Sequence, residues 1–308
     1  MNLATVPSVI VGCESIGSVL PDAFVTARER TTWLRYLDGV TEAGCTAFDL
    51  AASYQLGGTE RLFGKWLATR KNRAQLFLIG KGGHPYPVIK PNRLHTEDLV
   101  SDLHASLRRL GIEQLDLYML HRDHAEASLD ALADTLARFH REGKIAAIGV
   151  SNWQHERVEL LAKALHQRGA ALAAASPQFS LAAWTRPPWL GCVSISGQEG
   201  AKARAYYAHK ELPVFAWSPL GRGYFSEQGK DLAVYATQAN AARRERAQRL
   251  AKRENATATQ IALAYALHQP FPTRAIVASR SVDNMKGNLQ AAHIALSTAD
   301  VAWLEQGD

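Results

Sequence analysis

The chain has 308 residues, of which 47% are hydrophobic and 21% charged, enough for one large α/β domain or two average ones. No apolar run approaches the roughly 18–20 residues of a membrane span, and the N-terminal stretch lacks the basic residues of a secretion signal, so a cytoplasmic protein without membrane contact is expected. The three cysteines Cys13, Cys45 and Cys192 are too few and too scattered for a disulfide framework or a metal motif.

The net charge of +6 and the pI of about 9.3 raise the question of nucleic acid. The densest basic run, RRERAQRLAKRE at 243–254, contains glutamates and no aromatic residues. This composition favours a solvated helix face, so no nucleic-acid partner is expected. A basic surface can also attract phosphorylated cofactors or anionic substrates.

Along the chain, eight short apolar runs alternate with amphipathic segments. Several runs are apolar on consecutive residues, which is typical of parallel strands covered on both faces. The predicted strands are SVIVGC (8–13), CTAFD (45–49), QLFLIGK (75–81), QLDLYML (114–120), KIAAIGV (144–150), ALAAASPQ (171–178), PVFAWS (213–218) and RAIVAS (274–279).

The segments between these runs have the apolar period of helices. In TEDLVSDLHASLRRLG, four leucines fall on one stripe, Thr96 can cap the start and Gly111 can end the helix. In ASLDALADTLARFHREG, Gly143 closes a second helix in the same way. Eight strands alternating with about eight helices, with no linker, predict one (β/α)₈ barrel over residues 1–308. An open doubly wound sheet is the competitor, but the first turn has only Gly12 and Gly17 and no GxGxxG fingerprint.

Ionisable residues stand at three successive strand ends. Asp49 and Tyr54 follow the second predicted strand, Lys81 ends the third, and His121 follows the fourth. Each alone has an ordinary structural explanation: a cap, a packed aromatic, a surface lysine or a structural histidine. The carboxyl ends of barrel strands converge on one mouth, however, so we expect the four side chains to lie together in an active site.

These four residue types together form a proton-transfer group. Free tyrosine has a pKa near ~10, and a neighbouring lysine ammonium is expected to lower it. A carboxylate can hold that lysine, and a histidine can orient a carbonyl oxygen. As a proton-transfer group it uses no nucleophile and no metal, so it suits proton transfer to a C=O or CH–OH group, with a hydride supplied from elsewhere.

Asp49, Tyr54, Lys81 and His121 resemble the catalytic tetrad of the aldo-keto reductase superfamily in residue type, order and strand position. The resemblance extends over about residues 8–295. It implies a reductase of aldehydes or ketones, with hydride transfer from a nicotinamide cofactor and a proton from Tyr54. The implied partner is a small carbonyl compound.

The downstream motifs resemble the family's cofactor site. By this resemblance Ser151, Asn152 and Gln178 hold the nicotinamide carboxamide, and Trp217 stacks on the ring. The segment implied to wrap the pyrophosphate contains Ser218, Pro219, Leu220, Gly221 and Gly223. The residues implied to hold the adenosine half and its 2′-phosphate are Ser279, Arg280, Asn284 and Asn288. Gly12 and Asp49, at the first two strand ends, complete the implied cofactor set. Because an arginine at a helix N-terminus suits a 2′-phosphate, NADPH is expected over NADH.

Substrate contacts are predicted from the aromatic residues and histidines near the mouth, which would suit aryl carbonyls or the apolar faces of sugars. They are Tyr54, His84, His121, Trp153, Trp184 and Trp189. Only seven residues precede the first predicted strand, so the N-terminal hairpin usual in the family is expected to be absent or reduced. Gly287 stands where the family often has an acidic residue near the adenine.

Other functions remain open at this point. A catalytically weak, NADP-binding regulatory or partner-binding subunit would keep the same motifs. A class I aldolase on the same barrel would use Lys81 as a Schiff-base nucleophile, although a partnering Asp49 argues against the neutral lysine that this chemistry needs. A metal-dependent barrel hydrolase is less favoured, because no HxH motif ends the first strand.

Overall fold

The computed structural model describes residues 3–86, 88–226 and 233–307. Within these ranges, eight parallel strands pair in chain order, and the last pairs with the first, so the sheet closes into a barrel. The barrel prediction is therefore confirmed, and every observed strand overlaps its predicted run. The strands are β1 Val9–Gly12, β2 Ala47–Asp49, β3 Phe77–Gly82, β4 Leu117–Leu120, β5 Ile148–Ser151, β6 Leu172–Ser176, β7 Val214–Trp217 and β8 Thr273–Val277.

Ten α-helices lie in the described part of the chain, where the sequence pattern indicated about eight. They are α1 Ala27–Glu42, α2 Gly58–Arg70, α3 Thr96–Leu110, α4 Leu129–Arg141, α5 His155–His166, α6 Ala201–Lys210, α7 Gln238–Arg253, α8 Ala258–Leu267, α9 Val282–Ala291 and α10 Thr298–Gln306. The first predicted cap was wrong: His95 is the N-cap of α3, and Thr96 is already helical, with its hydroxyl near that of Thr135. The predicted end is confirmed, since Gly111 takes a left-handed conformation directly after α3.

Side chains that point inward from the strands fill the barrel interior. They form one cluster that includes Ile10, Ile79, Met119 and Phe215, separate from the larger core between the sheet and the helices. A short 3₁₀ turn at Leu3–Thr5 precedes β1, and Leu3 and Val6 extend this cluster at the floor. The guanidinium of Arg274 holds the turn by donating to the carbonyls of Leu3 and Val6.

The basic run at 243–254 was expected to be a solvated helix face, but part of it packs against the C-terminal helix α10. Arg243 is buried and donates to the carbonyl of Glu305, and Arg246 donates to the carbonyls of Leu304 and Glu305. These carbonyls lie in the last turn of α10, where cations are favourable. No helix among the described residues is long and apolar enough to span a bilayer.

Candidate active site

The alternation of side chains along each strand explains why polar side chains meet at one end of the barrel. Successive residues of a strand point to opposite faces, so a residue two positions after an inward-facing core residue also points inward. Ala47, Ile79 and Met119 belong to the interior cluster, and Asp49, Lys81 and His121 follow them by two residues each. The three polar side chains therefore form the next layer above the packed core, at the C-terminal mouth.

Tyr54 reaches the same place through a turn after β2. The backbone N–H of Ala52 donates to the carbonyl of Lys81 (2.9 Å), which ties the segment to β3. A 3₁₀ turn, Tyr54–Gly57, follows, in which Gln55 and Leu56 have positive φ. The Gln55 amide donates to the carbonyl of Glu14 (3.0 Å), so this bond connects the turn to the segment that follows β1. These bonds direct the phenol back over the mouth.

The four predicted side chains come together there. The Lys81 ammonium and the Asp49 carboxylate form a buried ion pair. The same ammonium donates to the Tyr54 hydroxyl (2.9 Å), and that hydroxyl donates to the second oxygen of Asp49 (3.2 Å). The rings of Tyr54 and His121 meet edge to face, with centroids 5.7 Å apart. A phenol, an imidazole and an ion pair thus share one small site.

The environment of Tyr54 differs from the sequence-based expectation. Burial raises the pKa of the phenol well above its ordinary value, and the Asp49 carboxylate raises it further. The expected lowering by Lys81 is therefore outweighed in this arrangement. The hydroxyl stays protonated at neutral pH, which is the state that a proton donor needs.

His121 has the opposite shift. Burial, followed by the positive charges of Lys81 and Arg122, lowers the pKa of this imidazole well below 6.5. The Ser53 hydroxyl lies 3.4 Å from Nδ1, and the ring of His84 packs against it with centroids 4.7 Å apart. A neutral imidazole can donate one hydrogen bond to an oxygen without carrying charge.

The predicted carboxamide residues lie at the next strand ends. Asn152, in a left-handed conformation with φ of 60°, donates to the Ser151 hydroxyl (3.0 Å) and accepts from the Trp217 indole (3.1 Å). Gln178 is fully buried, and its amide is bonded to Ser180, Ser194 and Ser196. Ser151, Asn152 and Trp217 are therefore grouped beside the four-residue site, whereas the Gln178 side chain faces the loop after β6.

The predicted phosphate-binding residues border the start of α9. Ser281 is the N-cap, accepting from the backbone N–H of Asn284, and Ser279 accepts from the N–H of Ser281. Just before the cap, the exposed guanidinium of Arg280 lies over the ring of Trp33, 5.9 Å from its centroid. No carboxylate in the described ranges lies within 4.0 Å of it.

The other predicted cofactor residues differ in their exposure. Asn284 is exposed, whereas Asn288 is buried, with its amide 3.9 Å from the Met285 sulfur. After β7, the predicted pyrophosphate segment turns sharply, with positive φ at Ser218, Gly221 and Gly223. The remaining members of the set lie beside these turns or at the β1 end: Pro219 and Gly12 are buried and Leu220 is half-buried.

The aromatic residues predicted for substrate divide into two groups. Trp184 and Trp189 lie near Trp217, with centroid distances of 5.7 and 6.4 Å, so they form a wall of the mouth. Trp153 is only 1% exposed, under the guanidinium of Arg157, and offers no surface to a substrate. Its position in the GVSNW motif suggested the mouth, but its side chain turns into the core.

Sequence reasoning missed three residues at this mouth. Ser53 and Arg122 are direct neighbours of Tyr54 and His121, yet the motif comparison stopped at the tetrad. Cys192 comes within 3.6 Å of the Arg122 guanidinium. In the part of the chain that the structure covers, no cluster of three His, Cys, Asp or Glu side chains could hold a metal ion.

Comparisons with known proteins point to one family. A sequence model described as the aldo/keto reductase family matches residues 15–307. The chain is 25% identical to norsolorinic acid reductase A of Aspergillus parasiticus, over 91% of this chain and 72% of that protein. It is also 25% identical to "Aldo-keto reductase yakc [NADP(+)]" of Schizosaccharomyces pombe, over 98% and 88% of the two chains.

A solved structure is similar over nearly the whole fold. It is a thermostable aldo-keto reductase in complex with the inhibitor epalrestat. It shares 25% identity with this chain at a TM-score of 0.76, over 98% of this chain and 95% of that one.

Proposed function

The chain belongs to the aldo/keto reductase family, a family of NADP-dependent oxidoreductases, and from this premise we propose that it reduces aldehydes or ketones with NADPH and that Tyr54 is the proton donor. The observation that carries the proposal is the contact of Lys81 with both Asp49 and the Tyr54 hydroxyl, beside the neutral imidazole of His121. The substrate carbonyl would lie between the phenol and the imidazole.

Each of the four residues has a separate role in the proposed reduction. His121 donates a hydrogen bond to the carbonyl oxygen and orients it, and NADPH, when bound, would supply the hydride for the carbonyl carbon. As charge develops on the oxygen, Tyr54 gives it a proton, since an alkoxide is a far stronger base than a phenolate. Lys81, 2.9 Å from the phenol oxygen, then stabilises the phenolate, and Asp49 holds Lys81 in place.

The chemistry of the donors near α9 fits NADPH. Arg280 is an exposed cation beside the N-terminus of a ten-residue helix, where backbone N–H groups and the helix dipole favour phosphate. The only acidic residue in the first turn, Asp283, is already paired with Lys286 at 3.4 Å. Arg280 and Ser279 would hold the 2′-phosphate, and the exposed part of Trp217 would meet the nicotinamide.

The buried ion pair of Lys81 argues against a Schiff-base aldolase. A lysine must lose its proton before its amine can attack a carbonyl, and pairing with Asp49 favours the ammonium form. Borohydride trapping with an aldehyde tests this directly. We expect no covalent adduct at Lys81, and an adduct there would contradict the reductase mechanism.

The proposed function is tested by following NADPH oxidation with a panel of aldehydes, ketones and sugars. We expect at least one class of carbonyl compound to be reduced, with one NADP⁺ formed per alcohol. If the protein binds NADPH but oxidises it with no carbonyl compound, it is a cofactor-binding subunit without reductase activity.

Replacing Arg280 tests the choice of cofactor. In Arg280→Gln we expect the KM for NADPH to rise about tenfold or more, because a charge-assisted contact to the 2′-phosphate is lost, while the KM for NADH stays within about twofold. Lys286→Gln is the matched control, since Lys286 is a nearby cation on α9 but is paired with Asp283. Equal rises for both cofactors would contradict a specific role of Arg280.

The two shifted pKa values also predict a pH profile. The pKa of His121 is lowered, so the imidazole gains a proton only at low pH. The pKa of Tyr54 is raised, so the phenol loses its proton only at high pH. With both substrates saturating, kcat for reduction should be nearly flat from about pH 6 to about pH 9. The measurement subtracts the enzyme-free loss of NADPH at acid pH. An acid limb with an apparent pKa near ~6.5 would show that His121 titrates as an ordinary histidine.

A further inference from the structure

Arg122 is a cation at the barrel mouth that lacks an acidic partner in the described ranges. It directly follows His121, and no carboxylate described by the structure lies within 4.0 Å of its guanidinium. Nearby arginines differ: Arg157 is paired with Asp123 at 2.6 Å, and Arg93 with Asp102 at 2.7 Å. A guanidinium without a carboxylate partner keeps its full positive charge available to an anionic ligand.

The contacts of Arg122 leave most of its donors unused. One nitrogen donates to the carbonyl of His121 (3.0 Å), and another reaches the Cys192 sulfur at 3.6 Å, which is a weak acceptor. A Cβ added at Gly191 would lie 3.6 Å from Arg122 Cδ, so the stem of the side chain lies against the loop after β6. These contacts fix the direction of the guanidinium and still leave planar, forked donors for an oxyanion.

The charge of Arg122 reaches the catalytic groups. It contributes to the lowered pKa of His121 and of His84, and it opposes the raised pKa of Tyr54. Glu14 acts in the opposite direction, since its carboxylate helps to raise the pKa of Tyr54 and of Cys192. The guanidinium therefore lies close enough to His121, His84 and Tyr54 to act on them electrostatically, and the exposed Glu14 carboxylate follows β1 on the other side of the mouth.

We propose that Arg122 binds a carboxylate on the substrate, so that the preferred substrates are carbonyl compounds that also carry a carboxylate. This inference rests on the proposed reductase function and names the substrate class of the same site. The indoles of Trp184 and Trp189, on the same loop as Cys192, supply an apolar wall for a carbon skeleton, and an aromatic one fits best. The carbonyl would meet Tyr54 and His121 while the carboxylate meets Arg122.

The test compares acids with their uncharged esters. The probes are para- and meta-carboxybenzaldehyde and their methyl esters, each reduced with NADPH. For the better isomer we expect kcat/KM to be about tenfold higher for the acid than for the ester. In Arg122→Gln this ratio should fall to about one, and Arg122→Lys should keep part of it because the charge remains. The ester rate is the divisor, so general damage to the enzyme cancels.

Two other variants make the comparison specific. Arg157→Gln removes a nearby arginine that is already paired, and the acid-to-ester ratio should not change. Glu14→Gln removes the opposing carboxylate, and the ratio should rise by a few-fold. A wild-type ratio of one or less, or an Arg122→Gln variant that keeps the wild-type ratio, would overturn the proposal.

Failure of the proposed function gives a different result. If neither acid nor ester is reduced, the reductase function fails, and binding of benzoate, followed by quenching of tryptophan fluorescence, then tests the anion site alone. Saturable quenching that weakens about tenfold in Arg122→Gln supports the site. Quenching that is the same in both proteins, or no quenching in either, contradicts it.

Discussion

Tyr54→Phe is expected to lower kcat for carbonyl reduction by about 10²–10⁴-fold, the usual range for loss of a positioned proton donor. Lys81 contacts the phenol oxygen at 2.9 Å and His121 lies against the phenol ring, so Tyr54 is placed to give a proton to a carbonyl oxygen in the mouth. Binding of NADPH should be nearly unchanged, because none of the predicted cofactor contacts is removed. Steady-state NADPH oxidation with a good aldehyde, together with a cofactor titration, measures both quantities.

The matched control is Tyr86→Phe. Tyr86 is also a partly exposed tyrosine on the mouth side, and the guanidinium of Arg93 lies over its ring, 4.7 Å from the centroid. Removing its hydroxyl leaves that contact, so activity should stay within about twofold of the wild type. If Tyr54→Phe kept full activity, or if the two variants lost the same amount, Tyr54 would not be the proton donor.

Lys81→Met is expected to affect both activity and stability. The change leaves Asp49 buried without its ion-pair partner, which typically costs about 3–5 kcal/mol in the free energy of unfolding. It also removes the cation that stabilises the phenolate of Tyr54, so kcat should fall by at least about 10²-fold. Urea unfolding and NADPH oxidation measure the two effects on the same preparation.

The double variant Asp49→Asn/Lys81→Met separates the two effects. With the buried carboxylate also removed, most of the lost stability should return, since no unpaired charge remains. Activity should stay low, because the phenolate still lacks a cation. Recovery of both quantities would show that Lys81 acts on catalysis only through the fold, and recovery of neither would contradict the pairing of Asp49 with Lys81.

The barrel was predictable because its signals are local and repeated. Eight apolar runs with helical segments between them leave few topologies, and the two-residue period of a strand places Asp49, Lys81 and His121 one layer above the interior core. The position of α3 was also predictable from its leucine stripe and Gly111, whereas the first cap was misassigned by one residue to Thr96. The N-cap is defined by its backbone conformation, and a sequence with several polar residues near the helix start does not show which of them adopts it.

The electrostatics and the loops were less predictable, because they depend on contacts between distant segments. Pairing with Lys81 was expected to lower the pKa of Tyr54, but burial and Asp49 raise it. Trp153 turned out to be buried, and the Gln178 amide is satisfied by three serines of one loop. These outcomes follow from how the turns after β5 and β6 pack, and a strand pattern contains no information about that.

The central claim is that bound NADPH is oxidised by a carbonyl compound whose oxygen receives its proton from Tyr54. The most direct measurement is stopped-flow mixing of the protein–NADPH complex with an aldehyde, with wild type and Tyr54→Phe compared under single-turnover conditions. We predict one exponential loss of NADPH absorbance in the wild type and a rate lower by about 10²-fold or more in the variant. Equal rates in the two proteins, or no oxidation by the wild type with any aldehyde, would contradict the mechanism.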